Sequence, residues 1–118
     1  MSKIVLIVDD SMVSRMMVKE IVKTHIPYVQ IIEAGSGQLA LELINVDSHI
    51  DIALIDFNMP GMTGIELLEK LEGIINIPKR ALLTANIQDE VKNKAESAGV
   101  TFLNKPIVED VIANFIQN

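Results

Sequence analysis

The stretch IVLIVDDSMVSR, residues 4–15, places five consecutive aliphatic residues directly before two adjacent carboxylates, Asp9 and Asp10. An apolar run without polar alternation is typical of a strand covered on both faces, as in a parallel sheet between layers of helices. Ser11 is a suitable N-cap for the segment that follows it. The stretch therefore predicts a central β-strand and then a helix, with two like charges at their junction.

The same order of apolar run, turn and amphipathic helix occurs five times along the chain. In the helical segments apolar residues recur at spacings of three and four, as at Ile65, Leu68 and Leu71. The expected strands are residues 4–8, 29–32, 52–55, 81–83 and 100–103, and the expected helices are about residues 12–25, 38–46, 64–72, 87–98 and 107–116. This alternation predicts an α/β fold: a doubly wound, five-stranded parallel sheet with five helices, in a flavodoxin-like three-layer sandwich.

Residues that cap or interrupt helices support this division of the chain. Ser36 and Thr63 are expected N-caps, Pro106 suits the first turn of the last helix, and Gly99 suits the end of the fourth helix. No internal linker or low-complexity tract separates the segments. We therefore expect residues 1–118 to form a single domain, without an attached output domain.

Composition excludes several classes of protein. The chain is 49% hydrophobic but has no apolar run close to the roughly 18 residues of a membrane span, so no membrane insertion is expected. The net charge of -6, from 16 acidic and 10 basic residues, argues against nucleic acid as a partner. The absence of cysteine excludes disulfides and thiol catalysis and fits a cytoplasmic location.

Polar side chains follow four of the five expected strands. Asp9 and Asp10 follow the first strand, Asp56 the third, Thr84 the fourth and Lys105 the fifth. Each residue alone has an ordinary explanation, such as helix capping or solvent exposure. Because ligands of open α/β sheets bind beyond the carboxyl ends of the strands, the five residues together predict a functional site at that edge.

The chemistry of these side chains indicates a phosphoryl site. Clustered carboxylates repel one another by about 4 kcal/mol per pair at about 4 Å and an effective dielectric constant near 20. Such a group favours Mg2+, which prefers oxygen ligands and leaves coordination positions open for a phosphoryl oxygen. With Lys105 and Thr84 the crevice can hold a tetrahedral anion while one carboxylate attacks it. These residues predict an aspartate that accepts a phosphoryl group.

Four motifs in order along the chain reinforce this interpretation. They are IVDDS at the first strand, LIDFNMPGMTG around the third, LLTAN at the fourth and FLNKPI at the fifth. In these motifs and their spacing the sequence resembles a response-regulator receiver domain of two-component signalling, over essentially the whole chain. The chain resembles the single-domain chemotaxis regulators and the phosphorelay intermediates, and its DFNMP segment favours the chemotaxis regulators.

The resemblance implies a role for each acidic residue of the site. Asp56 would be the phosphoacceptor, and Asp9, Asp10 and Asp56 would hold the magnesium ion. Asn58 would contribute its backbone carbonyl to the same ion. Of the two adjacent carboxylates we expect Asp10 to touch the metal directly and Asp9 to act through water.

The resemblance also implies which residues bind the phosphoryl group and report its presence. Lys105 would bind the group, and Thr84 would close on it. Phe102 stands at the aromatic switch position, three residues before the lysine; it has no hydroxyl, so its contact with a partner would be apolar. Asn58 and Asn86, two positions beyond Asp56 and Thr84, would tune the rate at which the phosphoryl group is lost.

The implied activity is phosphoryl transfer from a phosphohistidine on a sensor histidine kinase or a histidine phosphotransfer protein. The protein would catalyse its own phosphorylation and slow dephosphorylation, and is not expected to turn over an external substrate as an enzyme does. Phosphorylation would change a surface on the fourth helix, fifth strand and fifth helix. That surface would meet an unidentified downstream protein, with the chain a monomer or a weak, activation-dependent dimer.

Three other functions are compatible with parts of the sequence. A phosphatase with an aspartate nucleophile usually has a second acid two residues on, where this chain has Asn58, and the chain lacks room for a substrate-selecting cap. A dinucleotide site would use Gly35-Ser36-Gly37 with Ala40, but leaves the acidic pair and the lysine unexplained. A structural interaction module is expected to have lost at least one of the site residues, and none is missing.

Overall fold

A computed structural model of the chain describes residues 2–85 and 88–117. Within these ranges the chain alternates five strands and five helices, as predicted. The strands are β1 Ile4–Val8, β2 Gln30–Ala34, β3 Ile52–Asp56, β4 Lys79–Thr84 and β5 Thr101–Asn104. The helices are α1 Met12–His25, α2 Gly37–Leu43, α3 Gly64–Glu72, α4 Asp89–Ser97 and α5 Glu109–Gln117. Among the helices described, none has the length and apolar character needed to cross a bilayer.

All strand pairs are parallel, and the strands lie in the order β2-β1-β3-β4-β5. β1 is therefore flanked by β2 on one side and β3 on the other. Val8 at the end of β1 pairs with Ala34 in one direction and Ile55 in the other. The order of strands reverses at β1, and this switch point is where open α/β sheets form a ligand-binding crevice.

Alternate residues of each central strand face opposite layers of helices, which confirms the three-layer sandwich. In β1, Val5 and Ile7 belong to one hydrophobic cluster, whereas Leu6 and Val8 belong to another. The first cluster contains side chains of α1 and α5 and the second contains side chains of α2, α3 and α4. The aliphatic run that begins the sequence is uninterrupted because both of its faces are buried.

Three predicted N-caps are confirmed. The side-chain oxygens of Ser11, Ser36 and Thr63 each accept a hydrogen bond from a backbone N–H in the first turn of the helix that follows. Thr63 forms a reciprocal capping box with Glu66, with hydrogen bonds of 3.2 and 3.1 Å. Gly99 follows α4 with a φ of +85°, a conformation that glycine adopts without a steric penalty.

The expectation that Pro106 lies in the first turn of the last helix is wrong. It follows Lys105 through a cis peptide bond, and α5 begins three residues later at Glu109. Because proline disfavours helical geometry in the residue before it, the chain leaves β5 without helical structure and enters the helix only later. The carbonyl of Val108, the residue before α5, accepts a hydrogen bond from Ile112 N at 3.2 Å.

Other element boundaries differ by a few residues from those predicted. α2 ends at Leu43 because Asn45 starts a turn, in which its side chain accepts a hydrogen bond from Asp47 N at 2.8 Å. β2 lies at Gln30–Ala34 and extends two residues past the prediction. α4 begins at Asp89, and the predicted start at Ile87 lies outside the described residues.

Candidate functional site

Three carboxylates meet where β1 and β3 end. Asp9 and Asp10 follow β1, and Asp56 is the last residue of β3. One oxygen of each carboxylate lies within 4.8 Å of the others, and among the described residues this is the only group of three or more acidic, histidine or cysteine side chains so placed. Asp9 and Asp56 are buried, whereas Asp10 is exposed.

Lys105 enters this cluster from the end of β5. Its Nζ lies 2.9 Å from Asp56 Oδ1 and 3.3 Å from Asp9 Oδ2. Its backbone N–H donates to the carbonyl of Thr84 at 2.9 Å, which ties the residue to the neighbouring strand. The backbone that carries the ammonium group is therefore tied to the sheet.

Burial and charge change the ionisation of this group of side chains. Burial raises the pKa of Asp56 above its usual 3.8, and the neighbouring Asp9 and Asp10 raise it further, while the hydrogen bond from Lys105 partly offsets both effects. Burial alone would lower the pKa of Lys105, but its contacts with Asp56 and Asp9 raise it above 10.5. Lys105 is thus a permanent cation beside a carboxylate that is costly to ionise.

The donor set fits a divalent cation. With the three carboxyls ionised and Lys105 protonated, the site has a formal charge of −2. Both oxygens of Asp9 already have partners, since Oδ1 accepts from Ser11 N at 2.9 Å and Oδ2 lies near Lys105. Hard oxygen ligands, few in number and partly exposed to water, suit Mg2+, which keeps several of its own waters.

The remaining predicted site residues lie around this cluster. Thr84 is buried at the end of β4, next to the strand that carries Asp56. Asn58 is exposed, two residues beyond β3, and Asn86 lies outside the described residues. Phe102 is half-buried in β5, with its ring centroid 6.4 Å from that of Phe57.

Sequence reasoning missed Arg15. Its Nη1 donates to the backbone carbonyl of Asp9 at 2.6 Å, and its Nε pairs with Glu33 Oε1 at 3.2 Å. A usable signal was present: Arg15 lies four residues after the N-cap Ser11, and an acidic residue stands near the end of the adjacent strand.

Packing against neighbouring side chains explains Gly35 and Gly37, the glycines considered for a dinucleotide site. A Cβ on Gly37 would lie 2.7 Å from Met62 Sδ, and one on Gly35 would lie 3.2 Å from Arg15 Nη1. These glycines allow close contact with neighbouring side chains. They also follow β2, an edge strand, and not the switch point beside β1.

Comparison with known proteins agrees with the fold. Residues 5–117 match the family model described as the response regulator receiver domain. The two-component response regulator ORR5 of Oryza sativa is 31% identical over 106 residues, which cover 87% of this chain and 78% of that protein.

Two solved structures show the same architecture. Chemotaxis protein CheY4 of Vibrio cholerae superposes with a TM-score of 0.83 at 27% identity, over 99% of this chain and 98% of that one. The receiver domain of hybrid histidine kinase CckA gives a TM-score of 0.77 at 25% identity, over 97% and 95% of the two chains. Since the family model spans nearly the whole chain, the protein belongs to the response-regulator receiver domains of two-component signalling.

Proposed function

We propose that Asp56 accepts a phosphoryl group from a phosphohistidine, on a sensor histidine kinase or a histidine phosphotransfer protein, and that this changes a partner-binding surface. The observation that carries the proposal is the position of Asp56. Its Oδ1 lies 2.9 Å from Lys105 Nζ, within the group of three carboxylates. A nucleophile, a fixed cation and a set of metal ligands thus share one crevice, as phosphoryl transfer requires.

Magnesium is the proposed cofactor. Asp10 and Asp56 would be direct ligands, together with the backbone carbonyl of Asn58. Asp9 would act through water, which is supported by the hydrogen bonds that its two oxygens already accept. When bound, Mg2+ supplies positive charge that lowers the repulsion among the carboxylates and the phosphoryl oxygens.

The proposed transfer is an in-line displacement. A carboxylate oxygen of Asp56 forms a bond to phosphorus while the bond from phosphorus to the histidine nitrogen breaks. The nitrogen keeps the electron pair and gains a proton from solvent. Lys105 stabilises the charge on the phosphoryl oxygens, and water later cleaves the acyl phosphate, which restores the carboxylate and releases inorganic phosphate. The protein is then a phosphoacceptor that catalyses its own modification.

The switch would act through Thr84, Lys105 and Phe102. Moving an equilibrium from 1:99 to 99:1 needs about 5.5 kcal/mol of differential interaction. Two charge-assisted hydrogen bonds, from Thr84 and Lys105 to the phosphoryl group, supply about 1.5–3 kcal/mol each. The ring of Phe102 packs near Phe57, the residue after the acceptor, so the same change can reach β5.

The surface that responds would comprise α4, β5 and α5. Val108 and Val111, at the start of α5, are 47% and 40% exposed and offer apolar contact to a downstream protein. A role of the chemotaxis type or as a phosphorelay intermediate fits this surface, with the chain in the cytoplasm as a monomer or weak, activation-dependent dimer.

Intact-mass spectrometry after incubation with acetyl phosphate tests the phosphoacceptor. We expect one phosphoryl adduct that depends on Mg2+ and is absent from Asp56→Asn. Asp47→Asn, which changes an exposed acid in the turn after α2, is the matched control and is expected to label normally. Equal labelling of Asp56→Asn, or no adduct with Mg2+, contradicts the proposal. Sustained hydrolysis of a phosphomonoester would instead favour a phosphatase.

A further inference from the structure

Arg15 ties the first turn of α1 to the loop that carries the acidic pair. Its guanidinium uses two different nitrogens: Nη1 donates to the carbonyl oxygen of Asp9 at 2.6 Å, and Nε pairs with Glu33 Oε1 at 3.2 Å. Only 16% of the Arg15 side chain is exposed. Two bonds from one planar, largely enclosed group fix its orientation.

The backbone of Asp9 is consequently held on both sides. Its N–H donates to the carbonyl of Ala34, the last residue of β2, at 3.2 Å. Its carbonyl accepts from Arg15, which is itself anchored to Glu33 on the same strand. The loop is therefore tied to the end of β2 twice, at the residue directly before Asp10.

The network leaves the charge of the acidic cluster available to a cation. Arg15 binds a backbone carbonyl and not the carboxylate of Asp9 or Asp10. Glu33 offsets part of its charge and also pairs with Lys19 at 2.7 Å. Three carboxylates that repel one another push the loop outward, and a bond to the backbone opposes this movement without occupying a ligand oxygen.

We propose that Arg15 is a positioning residue for the magnesium site, holding the backbone of Asp9 so that the carboxylate of Asp10 faces Asp56. This inference rests on the proposed function, because it assumes that the cluster binds Mg2+. It assigns Arg15 no contact with the metal or with the phosphoryl group.

The substitution Arg15→Lys distinguishes a role of the Arg15 charge from a role of its geometry, because the two predict different affinities for Mg2+. If Arg15 acted only through its charge, Arg15→Lys would leave Mg2+ affinity unchanged. If it acts through the planar geometry of its guanidinium, the single nitrogen of Lys cannot replace Nη1 and Nε at their two separate positions, and affinity falls. Loss of a residue that orients a metal ligand typically costs about 10-fold to 100-fold in affinity, so we expect about a 10-fold rise in the Kd of Arg15→Lys.

The experiment is a Mg2+ titration followed by 1H–15N amide shifts, which also report whether each variant is folded. Gly35→Ala is a second variant that changes no charge: its Cβ would lie 3.2 Å from Arg15 Nη1, so the guanidinium must shift and affinity falls by a smaller factor. Lys23→Met removes a cation farther along α1 and is the matched control, with an expected Kd close to that of the unaltered protein.

Labelling with acetyl phosphate distinguishes weaker Mg2+ binding from a general loss of stability. The Mg2+ concentration for half-maximal labelling should rise in Arg15→Lys, while the rate at saturating Mg2+ stays close to that of the unaltered protein. An unchanged Kd in Arg15→Lys, with binding lost in Asp10→Asn, overturns this inference and leaves the proposed function standing. Absence of Mg2+ binding by the unaltered protein overturns both.

Discussion

The proposed role of Asp56 as phosphoacceptor requires it to be an anion, yet its surroundings oppose ionisation. Burial, first, and then the adjacent carboxylates raise its pKa above 3.8. When the pKa of an acid is higher in the folded than in the unfolded state, ionisation lowers the free energy of unfolding. This loss is absent below the unfolded-state pKa, grows as pH rises toward the folded-state pKa, and is complete above the folded-state pKa. The residue thus destabilises the metal-free protein at neutral pH.

Asp56→Asn is therefore expected to raise the free energy of unfolding in EDTA at neutral pH. The gain should be on the order of 1 kcal/mol, the size of a typical single substitution, and should vanish near about pH 3. Urea unfolding followed by circular dichroism measures it, with Asp47→Asn as the control. A variant less stable than the unaltered protein at neutral pH would show that the Lys105 contact outweighs burial.

Asp51 is the opposite case, a carboxylate that stabilises the start of β1. Its Oδ2 accepts from Ile4 N at 2.8 Å, and its Oδ1 lies 2.9 Å from His49 Nε2. The bond from Ile4, and then that from His49, lower the pKa of Asp51 below 3.8. Its contribution to stability is complete above the unfolded pKa and is lost as pH falls through the folded value.

Asp51→Asn keeps an acceptor for Ile4 but removes the charge. Since charged hydrogen bonds are about twice as strong as neutral ones, we expect a loss of about 1 kcal/mol near about pH 6, shrinking below about pH 4. Urea midpoints over this pH range test it, with Asp47→Asn in parallel. A loss that stays constant down to the lowest pH would mean that the charge of Asp51 has no part in it.

The site residues differ in how far the sequence could reveal them. Asp56, Thr84 and Lys105 lie at or directly after strand ends, and parallel topology alone brings such residues to one edge. Arg15 acts on a backbone carbonyl across the turn between strand and helix. Hydrophobic periodicity carries no information about such a contact. The sequence offers only the position of Arg15 after the N-cap Ser11 and an acidic residue near the end of β2, and the structure shows that these groups meet.

At the scale of elements, α3 reaches the site only because its first residue lacks a side chain. Gly64 N donates to Phe57 O at 2.9 Å, and a Cβ on Gly64 would lie 2.6 Å from both Asp56 O and Leu82 Cδ2. The helix therefore begins in contact with the strand that carries Asp56. Any larger residue must move α3 or the backbone of Asp56.

Gly64→Ala is expected to destabilise the protein by about 1–3 kcal/mol, the usual cost of overpacking, and to slow labelling of Asp56. Gly73→Ala is the matched control at the other end of α3. There a Cβ would lie 3.4 Å from Lys70 O and the φ of −74° suits alanine, so stability should be unchanged or higher by up to about 1 kcal/mol. Equal urea midpoints for the two variants would contradict the close approach of Gly64.

The sequence predicted which helices and strands are present more reliably than it predicted where each of them begins and ends. β1, α1 and α3 lie at the predicted residues, because each combines a clear hydrophobic pattern with a cap or a buried face. α5 does not, because Pro106 is compatible with the first turn of a helix and with a turn outside it. Only the path of the chain beyond β5 decides between the two.

For the whole molecule, the position of β1 between β2 and β3 determines where chemistry can occur. Asp9 and Asp10 reach the same crevice as Asp56 because β1 and β3 are hydrogen-bonded neighbours. A fivefold strand and helix alternation predicts a doubly wound sheet, but the order of the strands is a tertiary result. The structure supplies that order, β2-β1-β3-β4-β5.

Because the whole chain is acidic, a test of magnesium binding by thermal unfolding needs a second salt as a control. Because the net charge is -6, any added salt screens repulsion and raises stability somewhat. Specific binding adds RT ln(1 + [Mg2+]/Kd), about 1.4 kcal/mol at about ten times Kd, or a few °C in Tm. Thermal unfolding should therefore show a gain from MgCl2 beyond that from NaCl of equal ionic strength. The excess should disappear in Asp10→Asn and persist in Asp47→Asn; equal gains from the two salts would mean that the three carboxylates bind no magnesium.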